Sequence, residues 1–219
     1  MNNKTKKLTF GAMLCAIAYV VMMLIHVKLV PAAPFLTYDP KDVVIALGGL
    51  IWGPGMAAIV TAVVALVEMV TVSDTGIIGC LMNFISTFAF AGTAALIYKK
   101  KHSLSGAVMG LVAGCIVMTG AMLLWNYLLT PIYMGTPREQ VAGMLLPIFL
   151  PFNLLKAVLN AAFTFLLYKP LVISLRKAGL IETSTGAKQQ KISWGMMLGA
   201  LLVIAACILI ILYMNGVIG

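Results

Sequence analysis

Asn153, Lys156 and Asn160 lie inside an apolar run of the chain, residues 146–173. Their spacing of three and four residues places them on one face of a helix. An ammonium between two carboxamides makes a stripe of donors and acceptors. Lys156 stands about nine residues into the run, roughly 13 Å from one end at about 1.5 Å per residue, too deep for easy escape to the headgroups. Asn126, near the corresponding end of the preceding apolar run, faces the same space. Glu68 closes an earlier run, and Asn83 sits about seven residues into the next. Polar groups at such depth are costly and tend to face a bundle interior and mark function. Two readings stay open. In one, these groups hydrogen-bond between helices and hold the bundle together, with Lys156 and Glu68 as an ion pair. In the other, they line a small-molecule pocket with apolar and aromatic walls. The wall candidates are Leu36, Tyr38, Met69, Trp125, Tyr127, Phe149 and Phe152.

The elements that must position these groups are membrane spans. The chain has 219 residues, 62% of them hydrophobic and 10% charged. A soluble domain runs nearer half apolar and a quarter charged. A spanning helix needs about 20 predominantly apolar residues. The runs are 8–28, 42–52 continuing into 54–72, 76–98, 104–129, 146–173 and 192–214. Gly53-Pro54-Gly55 breaks the second stretch, since proline removes a backbone donor and glycine loosens the chain. The reading is therefore an all-α integral membrane protein of seven spans, the second of them short.

Lysine and arginine orient the spans. With the N-terminus in the cytoplasm, eleven of the fifteen lie inside: Lys4, Lys6, Lys7, Lys99, Lys100, Lys101, Lys169, Arg176, Lys177, Lys188 and Lys191. Only Lys28, Lys41 and Arg138 lie outside, and Lys156 is within a span. Seven spans then place the C-terminus outside. Two outer loops, Lys28 to Lys41 with Phe35 and Tyr38, and Thr130 to about Gly143, carry prolines and suit caps over an outward-facing pocket. Asp39, Asp42, Asp74 and Glu139 fall on the same outer side. The polar stretch before the last span reads as a flexible linker.

The net charge of +9 does not indicate nucleic acid, because the charges sit at the ends of apolar runs and not along one face. Cys15, Cys80, Cys115 and Cys207 are dispersed in apolar runs, so neither a disulfide frame nor a metal site is implied. No phosphate loop, H-E-x-x-H or G-x-S-x-G motif occurs, so any ATP hydrolysis belongs to another subunit.

Three segments then carry a resemblance: Tyr38-Asp39-Pro40-Lys41-Asp42 leading to Gly48-Gly49 and Gly53-Pro54; Asn126-Tyr127 with Thr130-Pro131-Ile132-Tyr133; and Pro151-Phe152-Asn153-Leu154-Leu155-Lys156 with Lys169-Pro170-Leu171. Over residues 8–178 the chain resembles the riboflavin-specific substrate-binding (S) components of energy-coupling factor (ECF) transporters, the RibU family. The resemblance implies a six-helix S-component bundle binding riboflavin from outside, with no cofactor beyond that transported ligand. It implies as partners a transmembrane coupling (T) subunit and two ATP-binding-cassette ATPases. It implies Asn126, Asn153 and Lys156 as flavin contacts and Leu36, Thr37 and Tyr38 as a strip over the ligand, beside Met69, Tyr127 and Asn160 from the polar stripe and its walls. Ala12-x-x-x-Ala16 matches the family's face for the coupling subunit, although Gly106-x-x-x-Gly110-x-x-x-Gly114 and Gly195-x-x-x-Gly199 share its spacing. The expected division is a binding domain over 1–178, a cytoplasmic linker over 179–191 and an extra C-terminal span within 192–219, the last being a departure from the six-helix family. Rival readings are the same architecture serving another vitamin or FMN or FAD, a membrane enzyme, for which catalytic groups are missing, and a structural membrane protein without ligand.

Overall fold

The computed structural model describes residues 3–31, 33, 36–73, 75–180 and 194–218. Phe35, Asp74, Lys188, Lys191 and nearly all of the expected linker lie outside the described residues. The chain runs as helix α1 (Asn3–Leu24), a small hairpin of β1 (Val27–Lys28) and β2 (Thr37–Tyr38), then α2 (Lys41–Trp52), α3 (Pro54–Thr71), α4 (Gly76–Lys100) and α5 (Leu104–Met134). Helix α6 (Arg138–Met144), a π-helical turn (Leu145–Phe149), α7 (Leu150–Lys177) and α8 (Trp194–Met214) follow. Among the described residues, six helical segments are long and apolar enough to cross a membrane, with the run from α6 through α7 counting as one. Helix α2 is the exception. At about 1.5 Å per residue its 12 residues span about 18 Å, well short of a bilayer core of about 30 Å.

That short helix sits at the centre of the bundle, against α1, α3, α4 and α7. Nine of its residues are buried, including Lys41 and Asp42 in its first turn. Gly48 and Gly49 permit the close approach. A Cβ on Gly49 would lie 3.0 Å from the Ala57 Cβ and 3.2 Å from the Ala95 Cβ, and one on Gly48 would lie 2.6 Å from Leu14 Cδ1. The helix stops at Gly53, whose φ of 93° disfavours a side chain, and Pro54 opens α3, where its missing N–H costs nothing. Because α2 is short, its N-terminal charges end up inside the protein.

Helix α1 buries Phe10, Leu14, Ala18 and Met22, four residues apart, and leaves Ala12 and Ala16 exposed. The glycine stripe of α5 is used internally. A Cβ on Gly110 or Gly114 would lie 2.7 Å from the carbonyl oxygen of Ala94 or Phe90 on α4, so these small residues set the α4–α5 distance. The expected outer loop of 130–143 is mostly helix. Pro131 is accommodated inside α5, which ends on left-handed Gly135 (φ 62°), and α6 starts at Arg138. Pro147 falls in the π-helical turn, where the missing donor is absorbed by the looser winding. The seventh helix expected at the C-terminus is present as α8, packed on α7.

Candidate substrate site

A cavity of about 430 Å³ opens between the hairpin and helices α1, α3, α4, α5 and α7. Its volume lies in the range of small-molecule sites. Asn126, Asn153 and Lys156, which reach it from two helices, all line it, as do Leu36 and Thr37 from the hairpin segment. Glu68 and Asn83 line it as well, together with Phe152, Tyr133 and His26.

The two asparagines are held by their own helices. Asn126 Nδ2 donates to the Met122 carbonyl at 2.7 Å, and Asn126 Oδ1 accepts from the Thr130 hydroxyl at 3.2 Å. Asn153 Nδ2 donates to the Phe149 carbonyl at 2.7 Å. That carbonyl belongs to the π-helical turn. Each amide, only 1% exposed, is thereby fixed with one N–H still to spare.

Lys156 is anchored by two acidic residues of segment 38–42, which sequence alone does not place in the site. Its Nζ lies 3.6 Å from Asp39 Oδ2 and 3.6 Å from Asp42 Oδ2. Asp42 is fully buried. Its Oδ1 accepts from the Thr87 hydroxyl at 2.6 Å, and its Oδ2 accepts from Asn160 Nδ2 at 3.1 Å. Asp39 Oδ1 accepts from the Lys41 backbone N–H at 3.3 Å, and Lys41 Nζ lies 3.6 Å from its Oδ2. Lys41 Nζ in turn donates to Glu68 Oε2 at 2.7 Å. Burial alone would raise the Asp39 carboxyl pKa, but Lys156 and Lys41 beside it outweigh that and hold it below the ordinary value. Five charged groups from α2, its preceding turn, α3 and α7 thus form one network. Every cation in it is already paired.

Several expected placements change. Lys41, counted with the outer charges, is 2% exposed and belongs to this network. Glu68 pairs with Lys41 and not with Lys156. Asn160 is drawn to Asp42 and does not line the cavity. Tyr38 does not line it either: successive strand side chains point to opposite faces, so with Thr37 turned to the cavity, Tyr38 points away into an apolar cluster. Met69 is half-buried outside the lining, Phe149 and Trp125 do not line the cavity, and Tyr127 carries the Arg138 guanidinium 5.5 Å from its ring centroid. Asp39 and Asp42 read as outer-side residues in the sequence because they lie in a proline-containing turn segment leading into α2. The available signal was composition: the chain has six acidic residues, and three of them, Asp39, Asp42 and Glu68, meet at Lys41 and Lys156.

A helical multi-pass membrane protein with a cavity of this size, of apolar walls and a few placed polar side chains, is a small-molecule binding membrane component. A family model described as the ECF transporter, substrate-specific component, matches residues 6–168, and the chain belongs to that family. It is 30% identical over 181 residues to the riboflavin transporter RibU of Staphylococcus aureus (strain TCH60), covering 80% of this chain and 94% of the relative. It is 31% identical over 187 residues to the riboflavin transporter FmnP of Bacillus subtilis (strain 168), covering 80% and 98%. A solved structure described as the S component of a bacterial ECF transporter superposes with a TM-score of 0.68 at 31% identity, over 80% of this chain and 99% of that one. The chain is accordingly a transporter binding component and not an enzyme.

Proposed function

We propose that the chain is the riboflavin-binding component of an ECF-type uptake transporter, with Asn126, Asn153 and Lys156 holding the flavin. The observation that carries this reading is the convergence of these three side chains on one cavity. A flavin presents ring carbonyls, ring nitrogens and a hydroxylated chain, which carboxamide and ammonium donors satisfy in a desolvated pocket. Leu36 and Thr37 cover the ligand from the hairpin. Tyr38 and Asn160 support the walls from behind, and Met69 and Tyr127 shape the surrounding helices.

The coupling partners are a transmembrane T subunit and two ATPase subunits. The exposed small-residue face of Ala12 and Ala16 on α1 supports a docking site for the T subunit. Helix α8 packs on α7 and leaves that face open. The N-terminus is cytoplasmic and the C-terminus extracellular, consistent with the basic residues at the α4 and α7 C-terminal ends. Residues 1–178 form the binding domain, 179–191 the linker, and 192–219 contain the extra span.

Riboflavin is favoured over its phosphorylated forms because Lys41 and Lys156 are both neutralised by carboxylates, two of which, Asp39 and Glu68, face the cavity. The test is a fluorescence titration of riboflavin into detergent-purified protein freed of endogenous ligand. Saturable quenching at one flavin per chain, lost in Lys156→Ala, is the expected result. Absence of quenching by folded protein would remove riboflavin as the ligand.

A further inference from the structure

Helix α8 lies wholly outside the family match, which ends at residue 168. Only 6% of its most apolar window is buried, the least of the six spans. Its contacts are nevertheless one-sided. Ile204, Cys207, Ile211 and Met214 recur at spacings of three and four and so share one helix face. Cys207 is 5% exposed. This face joins an apolar cluster with Leu29, Val30 and Tyr38 of the hairpin and Phe152, Leu155 and Leu159 of α7.

Both partners of that face are walls of the cavity seen from behind. Thr37 and Asp39 face the cavity on either side of Tyr38, and Phe152, Asn153 and Lys156 do so from α7. The Tyr38 hydroxyl is buried without a hydrogen-bond partner among the described residues, so no hydrogen bond fixes this side chain and its packing in the apolar cluster matters the more. The other half of α8 is attached differently. Met196, Ala200 and Val203 stand across an apolar cleft of about 430 Å³ from Leu111 and Cys115 of α5. At the level of the hairpin, by contrast, α8 enters a buried apolar cluster directly.

We infer that α8 is a positioning element of the binding site: acting through Tyr38, it holds the hairpin against α7 and so slows departure of the ligand. The inference rests on the flavin reading for its ligand but not for its geometry. An added apolar contact that exists only when the hairpin is seated lowers the dissociation rate and leaves association nearly unchanged.

The test compares the full chain, a chain ending at residue 180, and the full-length Cys207→Trp variant. The truncated chain keeps the whole of the family match, residues 6–168. Cys207→Trp overfills the cluster and decides the matter if truncation lowers the yield. Riboflavin dissociation is followed by fluorescence, and hydrogen exchange of amides 27–39 is measured without ligand, with α4 amides as reference. The expected result is dissociation about tenfold faster in both altered proteins, association within about twofold, and faster exchange confined to the hairpin. Unchanged dissociation together with unchanged hairpin exchange would overturn the inference. If the full chain fails to bind riboflavin, the flavin reading falls, and the hairpin exchange alone decides the role of α8.

Discussion

Lys156 Nζ on α7 lies 3.6 Å from the carboxylate of Asp42, which stands 114 positions earlier in the chain in the first turn of α2 and is fully buried. The pair ties the central helix to a wall of the cavity. Asp42 does not line the cavity, and of its two partners on α7 only Lys156 does, so Asp42 reaches the cavity through Lys156. Its position at the N-terminus of α2 adds a favourable interaction with the helix dipole.

Asp42→Ala leaves Lys156 short of a partner and strips the Thr87 hydroxyl and the Asn160 amide of their acceptor. Breaking a buried pair by removing one member costs about 3–5 kcal/mol. Thermal unfolding in detergent should show a clearly lowered midpoint, and riboflavin affinity should fall with it. A midpoint equal to that of the unaltered chain would mean that the pair contributes nothing net.

Glu68→Gln removes one of the two carboxylates facing the cavity and keeps the side chain's size. A unit charge about 10 Å from a ligand phosphate, at an effective dielectric of about 20, is worth about 1.7 kcal/mol, or more than tenfold in affinity. The ratio of FMN to riboflavin affinity should rise by that order, measured by competition titration. A fall in both affinities with no change in their ratio would show Glu68 to be a scaffold for Lys41 alone.

Asp39 makes stability depend on pH in a defined direction. Its carboxyl titrates lower in the folded protein than its ordinary value of 3.8, because Lys156 and Lys41 outweigh the effect of burial. A group of this kind contributes stability that is complete above the unfolded pKa and is lost as pH falls through the folded one. The difference in unfolding midpoint between the unaltered chain and Asp39→Asn should be constant from neutral pH down to about 5 and shrink below about 4. A difference that grew on acidification would reverse the assignment.

Gly110→Leu places a side chain where Cβ alone would lie 2.7 Å from the Ala94 carbonyl oxygen, whereas Gly120 on the same helix has nothing within 4 Å. Overpacking of this kind costs about 1–3 kcal/mol. Gly110→Leu should lower the unfolding midpoint and Gly120→Leu should not.

Ala16→Trp adds bulk on an exposed face of α1, away from the cavity. Riboflavin binding by the isolated chain should be unchanged, while uptake in cells supplying the coupling and ATPase subunits should be lost. Normal uptake would move the docking face elsewhere.

The amino-acid sequence determined the membrane class, the long apolar helices and the depth of Lys156, because apolar run length and the cost of a polar group in hydrocarbon are local properties. It also determined that Asn153 and Lys156 share a helix face, since that follows from 3.6 residues per turn. Which small-residue stripe meets a partner helix was not legible in it. Ala12-x-x-x-Ala16 and Gly106-x-x-x-Gly110 have one spacing, and only the packed bundle buries the second against α4 and leaves the first exposed. Nor did it show that Asp39, Lys41 and Asp42 belong to the site. In the chain they look like turn and helix-cap residues at the outer surface. Only when the short α2 is set in the middle of the bundle do they come within reach of residues 68 and 156. The direction of Tyr38, and with it the role of α8, was decided the same way: strand alternation sets Thr37 and Tyr38 on opposite faces, but only the folded hairpin fixes which of them turns to the cavity.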